Sequence, residues 1–269
     1  MSAFSPTAAT LSALTEALIP VVYEAGAAIM EIYASDFAVE RKGDHSPVTA
    51  ADAAGEKIIV AALSRLTPDL PVVAEEAAAA GQIPEIGSGP FWLVDPLDGT
   101  KEFVRRNGEF TVNIGLIVDG QPVLGLVQAP AQGILYAGWV AADGSRTGFR
   151  ETASGREEIR CRAPGPDGLT VLSSRSHATS DALQAYLADK TVASITNAGS
   201  SLKFCRIAEG QADLYPRFGP TCEWDTAAAH AVLRAAGGSL TQVDGSLFLY
   251  GKAPAFLNPH FIARGAEGV

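Results

Sequence analysis

The sequence predicts a two-lobed protein, an α+β lobe followed by an α/β lobe, on three observations. Apolar residues recur at helical spacing in the first seventy positions, apolar runs between 110 and 140 are joined by turns short enough for an antiparallel meander, and beyond 168 strand and helix candidates alternate. At 269 residues and 47% hydrophobic content, the chain has enough material for a substantial core in one large or two modest domains.

Leu11, Leu14, Leu18, Val22, Ala25, Ile29 and Ile32 fall three or four apart and predict a helix over 8–34. Pro20 is placed to bend it and Gly26 to admit a neighbour closely. Residues 36–48 contain Arg41-Lys42-Gly43-Asp44-His45-Ser46-Pro47, too rich in breakers for regular structure, and predict a mobile polar loop. Thr49-Ala50-Ala51-Asp52 opens a second helix as a capping box, with Asp in place of the usual Glu. Its apolar face is Ile58, Ile59, Ala62, Leu63 and Leu66, and Pro68 lies beyond its end. Capping alone is one sufficient reason for Thr49 and Asp52. Val72-Val73-Ala74 is a short strand ending in Glu75-Glu76, a pair that a solvated loop also explains.

Phe91-Trp92-Leu93-Val94 reads as a buried strand and runs directly into Asp95-Pro96-Leu97-Asp98-Gly99-Thr100. Packing gives no reason for two acids flanking a proline at a strand end. Pro96 fixes its own φ and pushes Asp95 toward an extended conformation, so the turn is stiff and both carboxylates can point into a common space. Two fixed carboxylates suit a hard divalent cation. Gly99 permits a backbone geometry other residues resist, and Thr100 stands where Lys101-Glu102-Phe103 opens a short helix whose free amides attract an anion. Cation and anion sites a few residues apart point to phosphate chemistry.

Runs at 110–118, 122–129 and 134–140, separated by Asp119-Gly120-Gln121 and by a turn containing Gly133, make the meander. From about 142 to 168 the composition shifts to Gly, Pro, Arg and Glu, which places a lobe boundary near 147 and gives lobes of 1–147 and 148–269. Strand candidates at 169–173, 191–196, 212–215, 238–243 and 256–263 interleave with helix candidates at 178–188, 200–209 and 224–236. The last helix starts at Trp224-Asp225-Thr226, turns Ala229, Val232, Leu233 and Ala236 inward, and stops at Gly237-Gly238. A capping or dipole role is the plain explanation of Asp225.

Thirty acids against twenty bases give a net charge of −10, which disfavours nucleic acid or an anionic membrane as the main partner. An anionic substrate would also be repelled unless metal ions reverse the local field. Cys161, Cys205 and Cys222 are odd in number with no paired spacing, and read as free thiols of a reducing cytosol, each a small core residue. The first forty residues hold no Lys or Arg, so the basic region of a signal peptide is missing. Charges are expected to interrupt every apolar run before it could span a bilayer, leaving a cytoplasmic protein with no integral membrane segment.

Together, Glu75, Asp95, Asp98 and Asp225 have a sharper reading than any one of them alone. A phosphate monoester in water is shielded by its own charge, and two neighbouring divalent ions both clamp the phosphoryl group and lower the pKa of a bound water. Four carboxylates balance two such cations, and all-oxygen ligands select Mg²⁺ or Mn²⁺ over zinc. The four histidines show no zinc-site spacing.

Three motifs in order, Glu75-Glu76, Asp95 to Thr100 twenty positions later, and Trp224-Asp225-Thr226 with its Gly237-Gly238 ending, resemble the lithium-sensitive, Mg²⁺-dependent phosphatase superfamily that includes inositol monophosphatase. The resemblance covers nearly the whole chain and implies a layered αβαβα fold. It implies that Glu75, Asp95 and Asp98 bind metal with the Leu97 carbonyl, that Asp225 completes the second site, and that the Gly99 and Thr100 amides hold phosphate. Asp52 would pair with the Thr100 hydroxyl to orient the attacking water, and Glu75 would help draw its proton. The loop around Lys42 to Ser46 resembles a mobile flap, so the implied complement is two Mg²⁺ ions and, with the flap, a third. Lithium sensitivity is a further implication.

Lys101-Glu102-Phe103, Ser173-Ser174-Arg175-Ser176-His177, the stretch from Gly199 to Cys205, Ala212 to Arg217, and Leu249-Tyr250-Gly251-Lys252 look like the CysQ-type 3'(2'),5'-bisphosphate nucleotidases. Inositol monophosphatases usually read Thr-Asn where this chain has Lys101-Glu102. A second phosphate and an adenosine need cationic and polar groups outside the metal cluster, which Arg175, His177, Lys203 and Arg217 would supply, although each also stands as an ordinary surface residue. With Leu97, Asp98, Gly99, Thr100 and Asp225, Arg175, His177 and Lys203 make up the implied substrate-binding set. The implied reaction converts adenosine 3',5'-bisphosphate to AMP and phosphate by in-line attack of water, with 3'-phosphoadenylyl sulfate as a second substrate and a place in sulfur metabolism. An inositol or sugar phosphomonoesterase with the same machinery is the nearest competitor, and a non-catalytic phosphate- or metal-binding module is a second. The resemblance implies a monomer or a homodimer, in the cytoplasm or peripheral at the inner membrane.

Overall fold

The computed structural model describes residues 4, 6–35, 39–41, 47–174 and 181–266, with backbone alone at 39–41 and 47–49. Helix α1, Ala8–Tyr33, is opened by the Thr7 side chain, which accepts from the Thr10 N–H at 3.2 Å. Leu11, Leu18, Val22, Ala25 and Ile29 are buried as the periodicity predicts, while Leu14 and Ile32 are only partly covered. The helix continues through Pro20, which sits on its exposed side. At Gly26 a Cβ would collide with the end of the Gln128 side chain, which packs directly against the glycine. By length and composition α1 is apolar enough to cross a bilayer, which corrects the expectation that charges break every apolar run. Here its apolar face is buried in a core shared with the sheet described next.

Strands β1, Val39–Arg41, and β2, Pro47–Thr49, pair antiparallel where an irregular loop was expected. Val39, Val48 and Thr49 favour extended backbone, and most of the breakers lie between the strands. The stretch from Lys42 to Ser46 lies outside the described residues. Helix α2, Ala50–Leu66, buries Ala51, Asp52, Gly55, Ile59, Ala62 and Leu63; Leu66, expected on that face, is 41% exposed at the last turn.

A seven-stranded sheet follows, in the spatial order β3-β4-β5-β6-β7-β8-β9. Its strands are β3 Val72–Ala74, β4 Phe91–Asp98, β5 Thr111–Val118, β6 Gln121–Ala129, β7 Ile134–Val140, β8 Arg146–Thr152 and β9 Gly155–Glu158, with short helices α3 Glu75–Ala79 and α4 Thr100–Val104. Only the β3–β4 pair is parallel. Asp119 and Gly120 both take positive φ, 50° and 71°, the geometry of a tight hairpin turn. Both β8 and β9 lie in the polar stretch read as a lobe boundary, and position 147 falls inside β8. Their burial is low, so no apolar alternation marks them.

The second half forms a five-stranded sheet, ordered β11-β10-β12-β14-β13. The strands are β10 Leu169–Ser173, β11 Val192–Asn197, β12 Leu214–Arg217, β13 Ser239–Gln242 and β14 Phe261–Arg264, with helices α5 Asp181–Leu187, α6 Leu202–Ala208 and α7 Ala227–Ala235. Helix α7 begins after Trp224-Asp225-Thr226 rather than at it, and β14 is shorter than 256–263.

The cores define the layers. Trp92 and Val94 pack with α1 and α2, whereas Phe91 and Leu93 share a second core with α6, α7 and Tyr215 and Phe261 of the other sheet. Val171, Leu214 and Ile262 pack with Leu183 and Leu187 of α5. The result is the αβαβα stack. Gly115, Gly125, Gly138 and Gly148 stand side by side on β5 to β8 and form a trough under the alanine-rich α7. A Cβ at Gly115 would lie 2.9 Å from the Ala228 backbone and one at Gly138 2.7 Å from Ala235 Cβ. This close approach fixes the depth of α7, and with it the preceding turn that carries Asp225.

Candidate active site

Asp95 to Asp98 are not a turn beyond a strand, as expected, but the end of β4 itself. Asp95 lies opposite Asn113 and Asp98 opposite Thr111, so β4 advances three residues while β5 advances two. The extra residue is a bulge. In a regular strand positions 95 and 98 would face opposite sides; the bulge returns both to one face. Pro96, which has no N–H to give, falls where the ladder is interrupted. The Leu97 N–H donates to Asp95 Oδ1 at 2.9 Å, and the Thr100 hydroxyl to the Leu97 carbonyl at 3.4 Å. Gly99, at φ 92° and ψ 40°, then turns the chain into α4.

Across the bulge, the buried side chains of Thr111, Asn113 and Ser201 join the two halves of the chain. Thr111 Oγ1 and Ser201 Oγ are 2.9 Å apart, Ser201 Oγ donates to Asn113 Oδ1 at 2.7 Å, and Asn113 Nδ2 donates to Thr111 Oγ1 at 3.2 Å. The Ser201 backbone amide lies near enough to Asp98 to favour its charged form. Lys203, only 4% exposed, donates from Nζ to the carbonyls of Ala198 at 3.1 Å and Ser200 at 2.6 Å, and the Gly199 N–H donates to Glu109 Oε2 at 2.8 Å.

Asp225 is held by the Cys222 N–H, which donates to its Oδ2 at 2.9 Å. Behind this turn, the fully buried Glu223 accepts from the Gly251 and Lys252 N–H groups at 2.8 and 2.9 Å and pairs with Lys252 Nζ at 2.5 Å. Asn258 Nδ2 adds a bond to the Cys222 carbonyl at 2.6 Å. The Leu249 to Lys252 motif therefore braces the Asp225 turn and lines neither cavity of the site. Glu75 opens α3, whose next two N–H groups, those of Glu76 and Ala77, donate to Glu56 of α2 at 2.8 and 3.0 Å.

Two adjoining cavities result. Glu75, Asp95, Leu97, Thr100 and Pro220 line the first, Lys203, Arg217, Ser174 and Ser200 the second, and both share Asp98, Gly99, Lys101, Glu102 and Asp225. Burial raises the Asp95 carboxyl well above the usual range, and the charges of Glu75, Asp98 and Asp225 raise it further. Asp225 is raised by burial and then by Asp98 and Glu75. Burial pushes Asp98 up to about 6, against the pull of Lys203 and the Ser201 amide. Lys203 is pushed down to about 8 by burial, with the Asp98 charge acting the other way.

Such a set of mutually repelling oxygen donors fits a hard divalent cation. Among the described residues no three His, Cys, Asp or Glu side chains are yet grouped tightly enough to hold an ion, so the carboxylates surround a cavity rather than form a closed shell. The shared cavity and mutual repulsion carry the reading, because an ion draws its ligands inward.

Asp52 is 1% exposed and close enough to raise Asp95, but lies outside the lining of both cavities. Arg217 donates to the carbonyls of Gly219 at 3.3 Å and Pro220 at 3.0 Å while lining the second cavity. Arg175 and His177 lie outside the described residues. Glu56, Glu109, Glu223 and the Thr111, Asn113 and Ser201 cluster were missed by sequence reasoning. Only Glu56 carried a signal, its place one helical turn after Asp52.

Over residues 10–265 the sequence matches the Inositol monophosphatase family. It is 47% identical to the 3'(2'),5'-bisphosphate nucleotidase CysQ of Salmonella typhimurium, over 92% of this chain and 98% of that protein. With the CysQ of Escherichia coli strain K12 it shares 48% over 88% of this chain and 94% of that one. The crystal structure of CysQ from Bacteroides thetaiotaomicron superposes with a TM-score of 0.76 at 35% identity, covering 94% of this chain and 97% of the other. An inositol monophosphatase from Anabaena shares the fold at a TM-score of 0.71 and 23% identity, over 95% and 92% of the two chains.

Proposed function

The chain belongs to the inositol monophosphatase family, and from that premise we propose how it works as a 3'(2'),5'-bisphosphate nucleotidase. Its substrate is adenosine 3',5'-bisphosphate, converted to AMP and inorganic phosphate, and 3'-phosphoadenylyl sulfate is a second substrate. The observation that carries this reading is the pair of cavities: a carboxylate-lined one shares Asp98, Gly99 and Asp225 with one lined by Lys203 and Arg217. A nucleotide with two phosphates needs both ends.

Glu75, Asp95, Asp98 and Asp225, with the Leu97 carbonyl, would hold Mg²⁺, two ions by the count of carboxylates. Bound there, Mg²⁺ supplies charge neutralisation and a lowered pKa for water. The Gly99 and Thr100 amides receive the 3'-phosphate. The Thr100 hydroxyl, backed by Asp52, orients the attacking water, and Glu75 accepts its proton. Lys203 and Arg217 hold the 5'-phosphate and keep the nucleotide in line for attack. The water oxygen bonds to phosphorus as the ester bond breaks, and the ribose oxygen leaves as a hydroxyl after taking up a proton.

Phosphate release measured across adenosine 3',5'-bisphosphate, inositol 1-phosphate and fructose 1,6-bisphosphate, with Mg²⁺, tests the reading. The nucleotide is expected to have the highest kcat/KM. A clear preference for inositol 1-phosphate would overturn the substrate assignment, and release from none of the three would leave a binding module.

A further inference from the structure

Helix α3 is five residues long, too short to be stable in water by its own hydrogen bonds. Its first amides need an acceptor, and Ala74, at the N-cap position, has no side-chain oxygen to offer. The acceptor comes from α2. Glu56 uses Oε2 for the Glu76 N–H and Oε1 for the Ala77 N–H, a two-oxygen clamp on successive amides directly after Glu75.

Glu56 is in turn anchored. On the same stretch of α2, Asp52, Gly55 and Ile59 are buried, and a Cβ at Gly55 would lie 3.3 Å from Pro96 Cβ. One turn of one helix therefore touches the β4 bulge that aims Asp95 and Asp98 and also grips the helix that presents Glu75. A negative group is an unfavourable choice here, since the charges of Glu75 and Glu76 both act against it. Only a carboxylate, however, offers two acceptor oxygens and no donor to a pair of adjacent amides.

We propose that Glu56 is a positioning residue for Glu75: its carboxylate locks α3 to the Asp95 to Asp98 bulge and so sets the span across which these acids take a divalent cation. The inference rests on the reading of Glu75, Asp95 and Asp98 as metal ligands. Glu56 touches neither cation nor substrate. Removing it alters where Glu75 stands, so metal affinity falls more than the chemical step.

The test titrates Mn²⁺ alone into the full-length protein by calorimetry, with wild type, Glu56→Ala, Glu56→Gln and Glu75→Gln compared. Amide hydrogen exchange at Glu76 and Ala77 and the Mg²⁺ dependence of turnover are followed in parallel. Glu56→Ala is expected to weaken Mn²⁺ binding about 10- to 100-fold, the usual effect of losing a partner that orients a ligand. Protection of the two amides is lost, and the Mg²⁺ concentration for half activation rises, whereas kcat at saturating Mg²⁺ and KM for the nucleotide change far less. Glu56→Gln keeps one acceptor oxygen and falls between. Equal losses in Glu56→Ala and Glu56→Gln with the amides still protected would mean a charge effect and overturn the proposal. A lowered melting temperature with unchanged Mn²⁺ affinity in Glu56→Ala would reduce the residue to a structural one. Wild-type Mn²⁺ affinity in Glu75→Gln would remove the ligand assignment and the proposal with it, whereas weak binding in Glu75→Gln beside normal binding in Glu56→Ala removes the positioning role alone.

Discussion

The two ends of the site are built by opposite means. At the acidic end, carboxylates are fixed by backbone N–H groups: Leu97 to Asp95 and Cys222 to Asp225. At the cationic end, side-chain donors are fixed by backbone carbonyls, those of Ala198 and Ser200 for Lys203 and those of Gly219 and Pro220 for Arg217. Main-chain dipoles orient each charge without cancelling it. Direct ion pairing would have neutralised both ends and left nothing for cation or phosphate. The ends meet at Asp98 and Lys203, each of whose charges acts against the effect of burial on the other.

The largest effect belongs to the acidic end. Asp98→Asn removes a donor from the cation site and is expected to lower turnover by about 10³-fold or more, about 4 kcal/mol of barrier. Without Mg²⁺ the same variant should melt higher than wild type, because one of several repelling buried charges is gone. Adding Mg²⁺ to about 100 times its dissociation constant should stabilise wild type by about 2.7 kcal/mol and Asp98→Asn far less. Differential scanning calorimetry with and without Mg²⁺ reads both. An apo variant that melts lower, or full activity, would break the contrast between the ends.

At the cationic end, Lys203→Met should act chiefly on binding. Loss of a charged hydrogen-bond donor to the second phosphate is worth about 1.5–3 kcal/mol, roughly a 10- to 100-fold rise in KM for adenosine 3',5'-bisphosphate. A substrate with a single phosphate should be affected much less. The Ala198 and Ser200 carbonyls also lose their donor, so the melting temperature should fall by a few degrees, roughly 2–4 °C per kcal/mol. Equal KM changes on both substrates would deny Lys203 a part in phosphate recognition.

Sequence patterning exposed the two ends unequally. Asp95, Asp98, Gly99 and Thr100 were legible because their spacing around a proline and a glycine has a local cause. The reason the acids share a face was not, since the bulge depends on register against β5, which no single segment records. The buried helices announced themselves by period, as did the central strands. Strands β8 and β9, the last two at one side of the sheet, did not, because polar strands of low burial lack apolar alternation. Lys203 was readable only through resemblance, and its partners Ala198 and Ser200 act through backbone atoms that carry no side-chain signature. Glu223 and Asn258 were invisible for a related reason: they bind main chain far away in sequence. A carboxylate or amide that braces a turn looks like any loop residue until the fold closes.

The contrast sharpens against a buried titratable group that the site does not use. His230, in the middle of α7, is 3% exposed, with Nδ1 3.1 Å from the Tyr250 hydroxyl, and burial followed by the charge of Arg234 pushes its pKa well below the ordinary value. Here the fold keeps the group neutral instead of holding a charge in place. The folded state resists a proton that the unfolded chain accepts near pH 6.5, so His230 adds stability that is complete above that pH and is lost as pH falls below it. The slope is at most about 1.4 kcal/mol per pH unit, or roughly 3–5 °C of melting temperature. His230→Gln should flatten that limb. Melting curves of the two proteins between pH 7.5 and 5.5 should converge or cross as the pH falls, with contributions from the site carboxylates, common to both, cancelling in the difference. Parallel curves would mean that His230 takes up its proton as readily in the fold as in the unfolded chain, and that burying a charge outside the site costs this protein less than the contrast requires.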